Sequence, residues 1–151
     1  QGDYPQIKGD QAIYFIYNDG FSNFLVNPMK AEIQGMAYAY QCQDSALQNT
    51  IFADYKIINR SQKTYINTKF GMWADMDLGN GNDDYVQSDV DRNLFYTFNG
   101  DAFDEDAGRP GYRDNPPGQA LMMLKGVKQD NDGQDNAFGI GANQSINGTG
   151  F

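Results

Sequence analysis

The chain has 151 residues, 40% of them hydrophobic, and a formal net charge of −9. That length is read as one domain able to bury a sizeable core, ten Tyr and ten Phe mark a folding rather than a disordered chain, and the acidity turns it away from nucleic-acid phosphates. The absence of His and the single Cys42 exclude ordinary catalytic triads, zinc, copper and iron–sulfur sites, and an internal disulfide framework.

Gln11 to Tyr17 is a short apolar run closed by Asn18-Asp19-Gly20, and with Phe21 to Asn27 it has the pattern of a β-hairpin. Met29 to Gln41 is apolar on both faces after Gly35, as expected of a central sandwich strand. Thr50 to Asn59 alternates, with Ile51, Ala53, Tyr55 and Ile57 on one face and Asp54 and Lys56 on the other, so one side is expected to face solvent. Thr64 to Ala74 reads as a long strand that ends at Trp73, Asn93 to Asn99 as another, and Ala120 to Val127 as the last. The Gly-, Pro- and Asp-rich span from Gly100 to Gly118 is a long irregular connection. Six or seven strands, with so little Glu, Leu or Lys to favour helices, predict an all-β fold. The expected architecture is a single antiparallel, jelly-roll-like β-sandwich over residues 1–151 with long acidic loops.

Eighteen of the twenty acidic residues are Asp, and ten of those lie between Asp75 and Asp114. Like charges packed this closely need a counter-charge, and the three Arg of that stretch are too few. Carboxylate and carbonyl oxygens without imidazole select calcium or magnesium, and calcium is favoured by the loop chemistry. Asp75 and Asp77 lie two apart, Gly79 and Gly81 permit the chain to fold back, and Asn82, Asp83 and Asp84 bring oxygens from the far side. The start resembles an EF-hand loop but departs at Gly79 and at Val86, where a bidentate Glu would stand, so a calcium loop between strands is expected. Asp89 completes the set, with Asp101 or Asp104 closing it from the following loop. Asp130, Asp132 and Asp135 form a second candidate cluster. The plainer reading of both is a solvated acidic turn, since Asp, Asn and Gly are also the commonest turn residues.

Sugar binding is the rival reading. Trp73 beside the acidic loop, with Tyr96 or Tyr112, could offer flat faces for stacking, although a lone Trp at a strand end is first read as core. A carboxylate-dependent glycoside hydrolase stands third, because the crowded Asp residues suit a metal cage better than two separated acids; an enzyme is not expected. Asn59-Arg60-Ser61, Asn143-Gln144-Ser145 and Asn147-Gly148-Thr149 match the glycosylation sequon, as an Asn-rich chain does by chance. No secretory leader or membrane-spanning run is read, which leaves a cytosolic or an already processed chain. Weak, carboxylate-rich calcium sites favour the extracellular side of that choice.

From Met36 onward the chain resembles a domain of large cell-surface and secreted proteins of Bacteroidetes exported by the type IX secretion system. The resemblance rests on Gly35-Met36-Ala37-Tyr38-Ala39-Tyr40, on Thr50-Ile51-Phe52-Ala53-Asp54-Tyr55-Lys56-Ile57-Ile58-Asn59-Arg60-Ser61, and on Gly71-Met72-Trp73-Ala74-Asp75-Met76-Asp77-Leu78-Gly79. After these come Asp83-Asp84-Tyr85-Val86, Asp89, Tyr96-Thr97-Phe98-Asn99-Gly100-Asp101 and Pro116-Pro117, with DxDLG…DDYV the most specific element. Gln87-Ser88 stands where the family often has Gly-Cys, so the loop end is expected to differ in shape. The resemblance implies secretion and a surface context, and a chain that is a piece of a longer protein. The expectation is then a calcium-stabilised structural, adhesive or filament-forming module, with other surface proteins, further copies of itself or glycans as partners and no membrane insertion.

Overall fold

The structure, a computed structural model, describes residues 6–20, 27–66, 68, 70–105, 108 and 111–126. The fold is all-β: every sheet is antiparallel and the one helix among the described residues is four residues long. Contacts divide the chain into two compact units, 1–70 and 71–151.

The first unit is a three-stranded sheet of β1 (Gln11–Asn18), β2 (Ala31–Ala39) and β3 (Ile51–Asn59), with β2 in the middle. The apolar character of β2 on both faces is that of a central strand, as its sequence predicts. β1 finds its partner in β2, with Phe15 opposite Gly35, while the expected hairpin partner at 21–27 lies almost wholly outside the described residues. The connection into β2 is closed by Asp19, whose carboxylate accepts from the backbone N–H of Met29 (2.5 Å) and of Ala31 (3.0 Å). Between β2 and β3, helix α1 (Ser45–Gln48) starts at Asp44, whose Oδ1 accepts from Ala46 (2.9 Å) and Leu47 (3.3 Å) and so caps two otherwise unmatched N–H groups.

Strand alternation gives the sheet two unlike faces. Ile13, Phe15, Tyr17, Ile33, Gly35, Tyr55 and Ile57 share one, through the registers Phe15–Gly35–Tyr55 and Tyr17–Ile33–Ile57. The other carries Glu32, Asp54 and Lys56 beside an aromatic group in which Tyr38 stacks on Phe52 at 5.5 Å. Lys8 pairs with Asp54 and lies 5.5 Å from the Tyr38 ring centre. Arg60 makes a two-pronged contact with Glu32 (2.9 and 3.0 Å); first that guanidinium and then the Gln34 amide hold the Glu32 carboxyl below its ordinary range. The pair therefore contributes at neutral pH, and its contribution is lost as the pH falls through that lowered value. Its exposure keeps the contribution small.

Thr64 to Ala74, expected as a strand, forms none among its described residues. The segment is anchored instead through its side chains: the Tyr65 hydroxyl donates to the Met29 carbonyl (2.9 Å).

The second unit holds β4 (Asp84–Asp89), β5 (Leu94–Asn99) and β8 (Gln119–Met122) in the order β4-β5-β8, together with a two-stranded β6 (Phe103–Asp104) and β7 (Arg113–Asp114). β4 and β5 form a hairpin whose turn ends at Asn93 with φ of 54°, a left-handed conformation that Asn tolerates well. Asn93 also donates to the Val90 carbonyl (3.1 Å). Of the expected last strand, Ala120 to Val127, the described residues form strand only within β8, and the irregular span 100–118 contains the small β6–β7 ladder.

Gly35 is the pinch point of the first unit: a Cβ there would overlap the Phe15 ring, which also packs edge-on against Tyr55 at 6.0 Å. Gly35→Ala is expected to destabilise this unit by about 1–3 kcal/mol, read as a lower urea midpoint with an unchanged slope.

Candidate metal centre

The interior of the second unit is polar. Among the described residues the one buried hydrophobic side chain is Leu78, and the buried polar ones are Asn80, Thr97, Asn99 and Asp104, all of the second unit. A closed interior of this kind needs every donor and acceptor matched, and here the matching is incomplete.

Asp104 is fully buried, and its carboxylate accepts from the backbone N–H of Asn80 on Oδ1 (3.0 Å) and of Tyr112 on Oδ2 (2.6 Å). Gly79, at φ of 66°, admits this carboxylate, because a Cβ there would collide with it. Asp84 plays a similar part at the mouth of β4, where its Oδ2 accepts from Leu78 N–H (2.7 Å). The acidic loop is thus folded by carboxylates that neutralise backbone donors. The side chain of Asn80 adds a local lock, with Oδ1 accepting from the Asn82 amide (2.9 Å).

Among the described residues five buried side-chain atoms are left without a hydrogen-bond partner: Asp83 Oδ1, Asp84 Oδ1, Thr97 Oγ1, Asn99 Oδ1 and Asn80 Nδ2. Four are hard oxygens. Asp84 and Asn99 sit directly opposite each other in the β4–β5 register, so their side chains rise from the same face about 5 Å apart, and Thr97 follows Asn99 on that face. Asp83 is joined to the same corner by its backbone carbonyl, which accepts from Gly100 N–H (2.9 Å). Carboxylate, amide and hydroxyl oxygens are the ligand types that a hard divalent cation takes, and waters would make up the remainder of a six- to eightfold shell. Among the described residues no group of three or more Asp, Glu, Cys or His side chains is placed to hold an ion. An ion at this corner would draw on Asn99 and Thr97 as well as on carboxylates.

The expected ligands separate by location. Asp83 and Asp84 belong to the corner. Asp75 and Asp77 are exposed, with the Asp77 carboxylate lying over Gly81. Asp89 sits on the opposite face of β4 from Asp84 and pairs with Arg92, whose guanidinium and backbone N–H lower its carboxyl below the ordinary range. Asp101 turns back on its own loop and accepts from Phe103 N–H (2.8 Å). Asp104 serves the backbone as described above. Asp130, Asp132 and Asp135 lie outside the described residues. Asn99 and Thr97, absent from the expected set, sit in an apolar run that reads as plain strand; only the pairing of Asn99 with Asp84 reveals them.

The aromatic expectations also divide. Trp73 is 83% exposed and not core, and Tyr112 is exposed, its backbone N–H serving Asp104. Tyr96 donates its hydroxyl to Gln87 (2.8 Å) and shares with Phe98 and Tyr85 a row of rings on the face of the sheet opposite Asp84.

No protein-family model, curated protein or solved structure matches the chain.

Replacing Asp104 by Ala would leave two N–H groups unmatched in a closed interior. The expected cost is about 2–4 kcal/mol, read by denaturant unfolding, and Asp114→Ala on exposed β7 is expected to leave stability within about 0.5 kcal/mol.

Proposed function

We propose that the chain is a calcium-stabilised module of a secreted, cell-surface bacterial protein, with a structural or adhesive role. The observation that supports this reading is the set of unpartnered buried oxygens of Asp83, Asp84 and Asn99 in the most acidic part of the chain. Burying such oxygens unmatched costs free energy, and a divalent cation satisfies several at once while offsetting the local negative charge. The ion is then part of the second unit's interior, where Leu78 is the one buried hydrophobic side chain among the described residues. The surface setting rests on the resemblance of the DxDLG…DDYV element and on the weak affinity such open, oxygen-rich sites have, which suits the calcium-rich exterior of a cell.

An ion bound only by the folded chain raises its unfolding midpoint by mass action. With a Kd of about 0.1 mM and 10 mM calcium the stabilisation is about 2.7 kcal/mol, which shifts the midpoint upward by several degrees. Chelation is expected to abolish the shift, Asp84→Asn and Asn99→Ala to reduce it strongly, and Asp89→Asn to leave it intact. An unchanged midpoint with and without calcium would sink the reading.

A carbohydrate-binding role is the second reading, favoured by the exposed Trp73 and by the row of Tyr85, Phe98 and Tyr96 rings. Retention on a glycan array that is lost in Trp73→Ala and survives chelation is the result that would support it.

A further inference from the structure

We propose that the uncharged face of the three-stranded sheet in the first unit is where a second copy of the chain docks, face to face. No strand position on that face carries a charge, whereas the opposite face holds Glu32, Asp54 and Lys56. Ile13 (64%), Tyr17, Ile51 (77%), Tyr55 and Ile57 on it are each more than a third exposed. A contiguous apolar patch of this kind marks an interaction surface.

Area and charge together select the occupant. Side chains of this size, exposed to this degree, present roughly 500 Å² of largely apolar surface. A standard interface takes about 800 Å² from each partner, and a homodimer interface is about 65% apolar, so the face supplies the required apolar area. The first unit contains six acidic and six basic residues and is neutral, so two copies meet there without net repulsion; the whole −9 lies in the second unit, where like units repel. An anionic membrane would repel so acidic a chain.

The face also carries a matched projection and recess. A recess of about 320 Å³ opens at one end of it, between Ala31 and Ile57 of the sheet and Tyr65 and Phe70 of the segment after it, with Lys63 also lining it. Ile51 projects from the other end of the same strand, six residues or about 20 Å from Ile57. A two-fold axis lying across the strands between these ends places Ile51 of each copy over the recess of the other, the reciprocal contact an isologous dimer requires. The ion in the second unit plays no part in this contact.

Sedimentation of the full chain is expected to show a concentration-dependent dimer. Ile13→Lys and Ile51→Lys should each weaken it at least tenfold with the far-ultraviolet dichroism unchanged, while Ile16→Lys, on the other face, leaves it as it was. If a Lys variant unfolds, Ile51→Thr keeps the β-branched shape and should still loosen the dimer. The dimer should persist after chelation, which separates this contact from the calcium site. A chain that stays monomeric up to about 100 μM, above the micromolar limit of interfaces this size, would overturn the proposal. So would a dimer indifferent to Ile51→Lys, one lost equally in Ile16→Lys, one dissolved by chelator, or capture of the chain by neutral lipid vesicles in place of dimerisation.

Discussion

The Asp104 carboxylate is the constraint on which the second unit rests. It is fully enclosed, and it ties the backbone at Asn80 to the backbone at Tyr112, two points that are otherwise distant in an irregular chain. Where a typical interior is held by apolar side chains, this one is held by a carboxylate between two loops, and Leu78 is the one buried hydrophobic side chain among the described residues. Such an arrangement is directional: each bond needs its own partner at its own angle, and a lost partner is not replaced by a neighbour sliding into the gap. Crowding of Asp and Gly in one stretch follows from this. The carboxylates serve the backbone, and the glycines let the backbone come close enough to be served.

The strands of the first unit were legible by pattern, β1 and β2 as apolar runs and β3 by its alternation. Ile51, Ala53, Tyr55 and Ile57 on one side and Asp54 and Lys56 on the other define β3 to within a residue of its observed start. Thr64 to Ala74 has comparable β-formers and forms no strand among its described residues, because strand formation needs a neighbour's free ladder, which side-chain pattern does not report. β4 escaped for the opposite reason: Asp84, Gln87, Ser88 and Asp89 have weak strand preference, and pairing with β5 overrides it. In the acidic loop, residue type alone grouped five Asp as one set of ligands, with Asp101 or Asp104 to close it. The fold separates them by strand parity, which sends Asp84 and Asp89 to opposite faces, and by backbone hydrogen bonding, which occupies Asp104.

The two units also divide the chain's chemistry. One is neutral, aromatic and ordered by cross-strand packing around Gly35; the other carries the entire net charge and is ordered by hydrogen bonds to carboxylates. They should respond differently to solution conditions. Salt and acid act on the second through its carboxylates, while the first is governed by side-chain contacts across its strands and by exposed ion pairs of small weight.

The hydrogen bond from Gly100 N–H to the Asp83 carbonyl bears on the chemical lifetime of the chain. Asn followed by Gly is the dipeptide most prone to deamidation, in which the glycine nitrogen attacks the asparagine side-chain carbonyl, ammonia leaves, and water opens the resulting ring to aspartate or isoaspartate. In the folded hairpin that nitrogen is engaged with Asp83 and Asn99 is enclosed, so ring closure is obstructed at both reacting atoms. The same bond that sets the corner of the candidate metal centre therefore slows its ageing, and damage at Asn99 would accumulate only in molecules whose hairpin has opened.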